Sequence, residues 1–177
     1  MSSKITKKMI YFFTAWDDNG NLGSAYNQYM SLLPNDNDYA CFLDGDAVYT
    51  CSDFGKRLNT IVETNPQYSL YTCMTNRIGQ RYQIEPLAKR SDSMKVNRVI
   101  SDLIWKKYNT TTIDVTDQTE LSGVLMLLTK ATWKQMGYFR PSGILGVDTD
   151  VHNRIRHING RIGLMRGFLV QHWYRGK

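Results

Sequence analysis

Uninterrupted apolar runs alternate along this chain with stretches in which apolar residues recur every three or four positions. Residues 9–14 (MIYFFT), 39–43 (YACFL) and 123–128 (GVLMLL) are runs of the first kind, the pattern of strands covered on both faces as in a parallel sheet. From Leu22 the apolar positions are Leu22, Ala25, Tyr26, Tyr29, Met30 and Leu33, one face of a helix that the Asn19-Gly20-Asn21 turn opens and Pro34 closes. Ser52-Asp53 precedes a second helix with Phe54, Leu58, Ile61 and Val62 inward, ending before Pro66. Residues 68–74 alternate like a strand, and residues 94–108 carry Val96, Val99, Ile100, Leu103 and Ile104 at helical spacing. The polar residues 76–92 between them read as a surface excursion. Thr129 caps a short helix over 130–136 that Gly137 stops, and residues 139–146, with Pro141, Gly143 and Gly146, read as a loop. A helix then runs from Asp148 to Ile158, Gly160 ends it, and residues 161–165 and 168–171 read as two short closing strands.

Buried strands alternating with helices predict an α/β three-layer sandwich around a mostly parallel sheet. At 177 residues the chain suits one domain, residues 1–177. In such sheets ligands bind outside the carboxyl ends of the strands, so the residues just beyond each apolar run are the first candidates for chemistry. The net charge of +6 favours anionic partners without choosing among them. The basic stretches 4–8 and 154–166 read as solvated faces, and no nucleic-acid recognition motif accompanies them. Cys41, Cys51 and Cys73 show no CxxC spacing and read as buried or incidental thiols of a reducing compartment. No apolar stretch reaches the roughly 20 residues of a membrane span and the start of the chain has no signal-like apolar region, so the expected location is cytoplasmic, not membrane-spanning.

The stretch DYACFLDGDAV ends a core strand in two carboxylates, Asp44 and Asp46, separated by Gly45. Hard carboxylate oxygens at that spacing suit Mg2+ or Mn2+, which leave coordination sites for diphosphate and water. Glycine between them lets a backbone approach a ligand closely. The same residues resemble the nucleophile loop of haloacid-dehalogenase-type phosphatases, with Asp44 as nucleophile and Asp46 as acid/base, and a capped turn is the third reading. A calcium-binding EF-hand loop fails, because Val48, Tyr49 and Gly55 occupy positions that need a ligand, a glycine and a glutamate.

Residues 21–49 as a whole, NLGSAYNQYMSLLPNDNDYACFLDGDAVY, resemble the donor-binding segment of family 2 glycosyltransferases of the GT-A fold. Asn21, Gly23, Ala25 and Asn27, with Ser24 among them, match that family's helix start, and Asp44 and Asp46 its D-x-D. Residues 121–139 resemble its acceptor-side strand and helix, and residues 146–173 the block carrying a catalytic acid, an arginine-bearing helix and a late histidine.

The resemblance implies a metal-dependent inverting transferase that moves a hexosyl or pentosyl group from a nucleotide-diphosphate sugar to an acceptor hydroxyl. UDP is the favoured nucleotide, and saccharide, protein, lipid-linked and nucleic-acid acceptors stay open, as does oligomeric state. It implies Asp46 as ligand of a divalent metal (Mn2+ or Mg2+), Asp44 at the ribose or the metal, and His172 approaching the metal from the C-terminal segment. Asp148 is the implied general base, although Val147 stands where the family has glutamate, and Asp150 is the fallback. Arg154 and Arg156 are placed to assist with phosphate, and residues 173–175 as a cover over the donor. The family's extra β-α unit before the donor helix has no room here, so base recognition falls to Thr14, Ala15, Trp16 and Asp17. That missing unit also keeps a second class open: a nucleotide- or sugar-binding module without turnover.

Overall fold

A computed structural model describes residues 8–118, 121–141, 143 and 145–173. Its elements in chain order are β1 (Ile10–Phe13), α1 (Leu22–Ser31), β2 (Tyr39–Leu43), β3 (Ala47–Tyr49), α2 (Phe54–Thr64), β4 (Leu70–Thr75), α3 (Met94–Tyr108), β5 (Thr112–Asp114), β6 (Leu125–Thr129), α4 (Lys130–Gln135), α5 (Val147–His157) and β7 (Ile162–His172). The strands form one sheet in the order β1-β2-β6-β4-β7-β3, with β5 also on β7. Two core clusters flank it. One holds Tyr26 and Met30 of α1, Trp133 of α4 and Val151 and Ile155 of α5, and the other Leu58, Ile61 and Val62 of α2. Helices therefore cover both faces, the layered α/β arrangement that the alternating pattern predicts.

The expectation of a mostly parallel sheet is corrected. Only β1–β2 and β4–β7 run parallel, whereas β2–β6, β4–β6, β3–β7 and β5–β7 run antiparallel. An all-apolar strand reports cover on both faces, and helices on both faces supply that cover whichever way the strand points. The expected pair of closing strands is one 11-residue strand, β7, whose beginning takes β5 and whose end takes β3 as antiparallel neighbours. Its bulge relative to β4 lies between Met165 and Leu169, where the sequence reading placed a gap. Among the described residues β1 pairs with β2 alone, and its residues are partly covered, with Phe12 exposed, not buried on both faces.

Local chemistry sets the helix starts. Asn21 Oδ1 accepts from Ser24 N in α1, Ser93 Oγ from Val96 N in α3, and Thr129 Oγ1 from Thr132 N in α4, each filling a backbone donor that the first turn leaves open. Asp53 makes no such bond at α2, and its carboxylate pairs with Arg57 at 2.8 Å. Residues 76–92 are not a solvated excursion: Asn76, Ile78, Gln83, Glu85 and Ala88 are buried. The side chains of Asn76 and Gln83 are bonded internally. Gln83 donates to Thr72 Oγ1 and Ser122 O and accepts from Ser122 N, and Asn76 donates to Ser91 O. Burial is tolerable because the partners are protein groups.

Candidate functional site

The candidate site begins where β2 leaves the core. Asp44 N donates to Val124 O at 3.1 Å, and Ala47 N donates to Asp44 O at 3.0 Å, so Asp44, Gly45, Asp46 and Ala47 form a tight turn into β3. β3 pairs with the end of β7 with Ala47 opposite His172, and Trp173 N donates to Asp46 O at 3.0 Å. This pairing brings the His172 ring to the turn. Nε2 of His172 lies 3.1 Å from Asp46 Oδ1, and Nδ1 lies 3.0 Å from Arg77 O. A carbonyl only accepts, so Nδ1 carries the hydrogen and Nε2 faces the carboxylates. Ligating atoms of Asp44, Asp46 and His172 all lie within 4.8 Å of one another.

The donor set fits a divalent cation. Neighbouring ligands around an octahedral ion at ~2.1 Å sit about 3.0 Å apart, close to the 3.1 Å between His172 and Asp46. The histidine is also held from behind, as metal-binding imidazoles are: Arg77 O orients the ring, and Asn76 Oδ1 accepts from His172 N at 2.7 Å. The three groups also differ in exposure, with His172 buried, Asp44 half-buried and Asp46 exposed. Burial pushes the Asp44 carboxyl up to about 6; His172 opposes that shift, and Asp46 and Asp148 add to it. Carboxylates crowded this way gain from any cation placed among them.

The cluster lies in a pocket of about 920 Å³. Thr14, Ala15, Trp16 and Asp17 form one wall, Asp44, Gly45 and Asp46 line it beside His172, and Ser122, Gly123 and Asp148 lie in it as well. Trp16 is 76% exposed, its indole nitrogen donating to Asp18 Oδ1. Asp17 Oδ1 accepts from Asn19 N and Asn21 N, which ties this wall to the start of α1. Asp148 Oδ2 accepts from Gly123 N at 3.1 Å and Oδ1 from Thr149 N at 2.8 Å. Gly123 is required here because a Cβ would stand 2.9 Å from Asp148 Cβ.

Several residues named by the resemblance lie elsewhere. Asp150 is outside the pocket lining, paired with Arg154 at 2.7 Å and Arg140 at 3.5 Å. Asn21, Gly23, Ser24 and Asn27 are also outside the lining. Asn21 caps α1, while Asn27 accepts from Trp133 Nε1 and Phe139 N and donates to Phe139 O. Gly23 lets α1 approach the Arg140 carbonyl, into which a Cβ would collide. Arg154 is held by Met136 O and Gly137 O, and Arg156 by Thr116 O and Gln118 O, so neither is turned to the pocket. His152 is 2% exposed because α5 turns it into the molecule. Burial, and then Arg156, pull its pKa down to about 3. Tyr174 and Arg175 of the expected cover lie outside the described residues.

Tyr26 is the residue that sequence reasoning missed. It lines the pocket, with its hydroxyl held neutral by burial and by the charges of Asp44 and Asp148. Its place on the apolar face of α1 carries no signal of that role. No protein-family profile matches the chain, and no curated protein sequence matches it.

Proposed function

We propose that the chain is a metal-dependent inverting glycosyltransferase that uses a nucleotide-diphosphate sugar. The observation that carries the reading is the meeting of Asp44, Asp46 and His172 within 4.8 Å in one pocket with Asp148. A capped turn needs neither His172 nor Asp148, and a dehalogenase-type phosphatase gives His172 no part.

Asp44, Asp46 and His172 would hold the cation, whose charge, when bound, offsets the negative charge building on the departing diphosphate. The imidazole in the set favours manganese over magnesium. Asp148 takes the proton from the acceptor hydroxyl. Its two backbone hydrogen bonds hold the carboxylate in place, and each oxygen keeps a further lone pair for that proton. Trp16 offers an exposed aromatic face for the base, and the Tyr26 hydroxyl stays protonated as a hydrogen-bond donor in the pocket.

Calorimetric titration of UDP and GDP tests the reading, with manganese, with EDTA, and with the Asp46→Asn variant. Binding of one nucleotide that needs both manganese and Asp46 is the expected result, together with slow release of nucleotide from its sugar conjugate. Absence of binding to either nucleotide under every condition overturns the proposal. Metal-dependent binding with no turnover on any acceptor returns the chain to the binding-module class.

A further inference from the structure

Helix α3 carries two sets of apolar residues at helical spacing, and the fold uses only one. Ile100 and Ile104 are buried, whereas Val96, Val99 and Leu103 are 46%, 58% and 53% exposed. With 3.6 residues per turn, positions 96, 99 and 103 form a continuous ridge of about two turns on the side away from the sheet. The same rotation sets Lys95 and Lys106 along one border of the ridge and Lys107 along the other. Leu87, Lys89 and Arg90 are exposed in the segment that leads into the helix.

The acids near this face are already engaged. Asp102 accepts from Arg57 at 2.7 Å and Asp92 is paired with Arg77 at 3.0 Å. Lys95, Lys106 and Lys107 have no ion pair among the described residues; Lys107 lies over the Tyr108 ring. The face therefore presents hydrocarbon bordered by uncompensated positive charge.

We propose that this face of α3 docks the protein on an anionic membrane surface. The three side chains enter the headgroup boundary, and the lysines, whose long stems reach outward from the helix, meet the lipid phosphates. The charge complementarity selects this occupant, since every unpaired charge bordering the ridge has the sign that anionic lipid attracts. Docking is peripheral: among the described residues no helix is long and apolar enough to cross a membrane. The inference is independent of the pocket's chemistry.

The test is co-sedimentation of the purified protein with phosphatidylcholine vesicles and with vesicles that also contain phosphatidylserine. Binding to the anionic vesicles alone, weakened by salt, is expected. Replacing each of Lys95 and Lys106 by glutamine should lower it about fivefold per residue, and Val99→Ser with Leu103→Ser should weaken it at unchanged net charge. All four positions are exposed, and circular dichroism checks that the variants are folded. Equal or absent binding to both vesicle types overturns the proposal, as does wild-type binding by the variants. A concentration-dependent dimer in sedimentation velocity that Leu103→Asp dissolves assigns the ridge to a second copy of the chain and also overturns it.

Discussion

Nε2 of His172 lies 3.1 Å from Oδ1 of Asp46, although 126 residues separate them in the chain. The contact rests on one short ladder, β3 against the end of β7, and on the Arg77 carbonyl that holds the other ring nitrogen. Removing the imidazole should therefore damage the cation site without unfolding the protein. His172→Ala is expected to weaken manganese binding by at least tenfold, about the lower limit for loss of a group in or next to a metal site. Calorimetry with manganese alone reads this, with no nucleotide present.

Asn76 supports the same histidine from behind. Its side chain is fully buried, accepting from His172 N and donating to Ser91 O. Asn76→Ala strips the partner from the buried His172 N, while Ser91 O keeps its bond from Asn97 Nδ2, and should cost roughly 1–3 kcal/mol of stability. The urea midpoint measures that loss. Manganese affinity should fall with it, by less than in His172→Ala.

A methyl on Gly123 would stand 2.9 Å from Asp148 Cβ and must displace the carboxylate-bearing chain. Gly123→Ala should leave metal-dependent nucleotide binding close to wild type while lowering turnover by roughly tenfold or more, since small misplacements of a catalytic group are costly. A parallel loss of nucleotide affinity would show that Asp148 serves binding instead.

Gly45 provides the opposite control. A Cβ there would meet only Thr14 Cγ2, at 3.8 Å, which is ordinary contact. Gly45→Ala should keep stability within about 0.5 kcal/mol. Any loss of nucleotide affinity in this variant then reports a ligand lying against the turn, and unchanged affinity places the diphosphate away from it.

His152 sets an acid limit on stability. Its pKa lies at about 3 in the folded protein, below the ordinary 6.5, because burial disfavours its charged form. The unfolded chain takes up this proton below pH 6.5 and the folded one does not, so the contribution is complete above pH 6.5 and is lost as pH falls towards 3. Between pH ~6.5 and ~4.5 the loss from this residue should reach about 2–3 kcal/mol. Urea midpoints across that range for wild type and His152→Gln check it: the variant should show the shallower decline.

Local pattern was enough for much of the scaffold. α3 spans Met94–Tyr108 as its periodicity predicts, Thr129 caps α4, and the D-x-D stands at the end of a buried strand. Side-chain period and capping chemistry act within a few residues, so a sequence carries them directly. Strand direction and order are settled by long-range pairing, to which an apolar run is blind, and the sheet is mixed accordingly. The three-residue strand β3 leaves almost no periodic trace, yet it aligns Ala47 with His172. Tertiary packing also decided that Asp148 faces the pocket while Asp150, half a helical turn away, pairs with arginines. It buried Asn76 and Gln83 by matching their donors and acceptors, and it left Val96, Val99 and Leu103 in solvent on a helix whose pattern marked them as core. In each case the deciding quantity is which distant surface arrives to cover a residue, and that is a property of the assembled sheet and its helices.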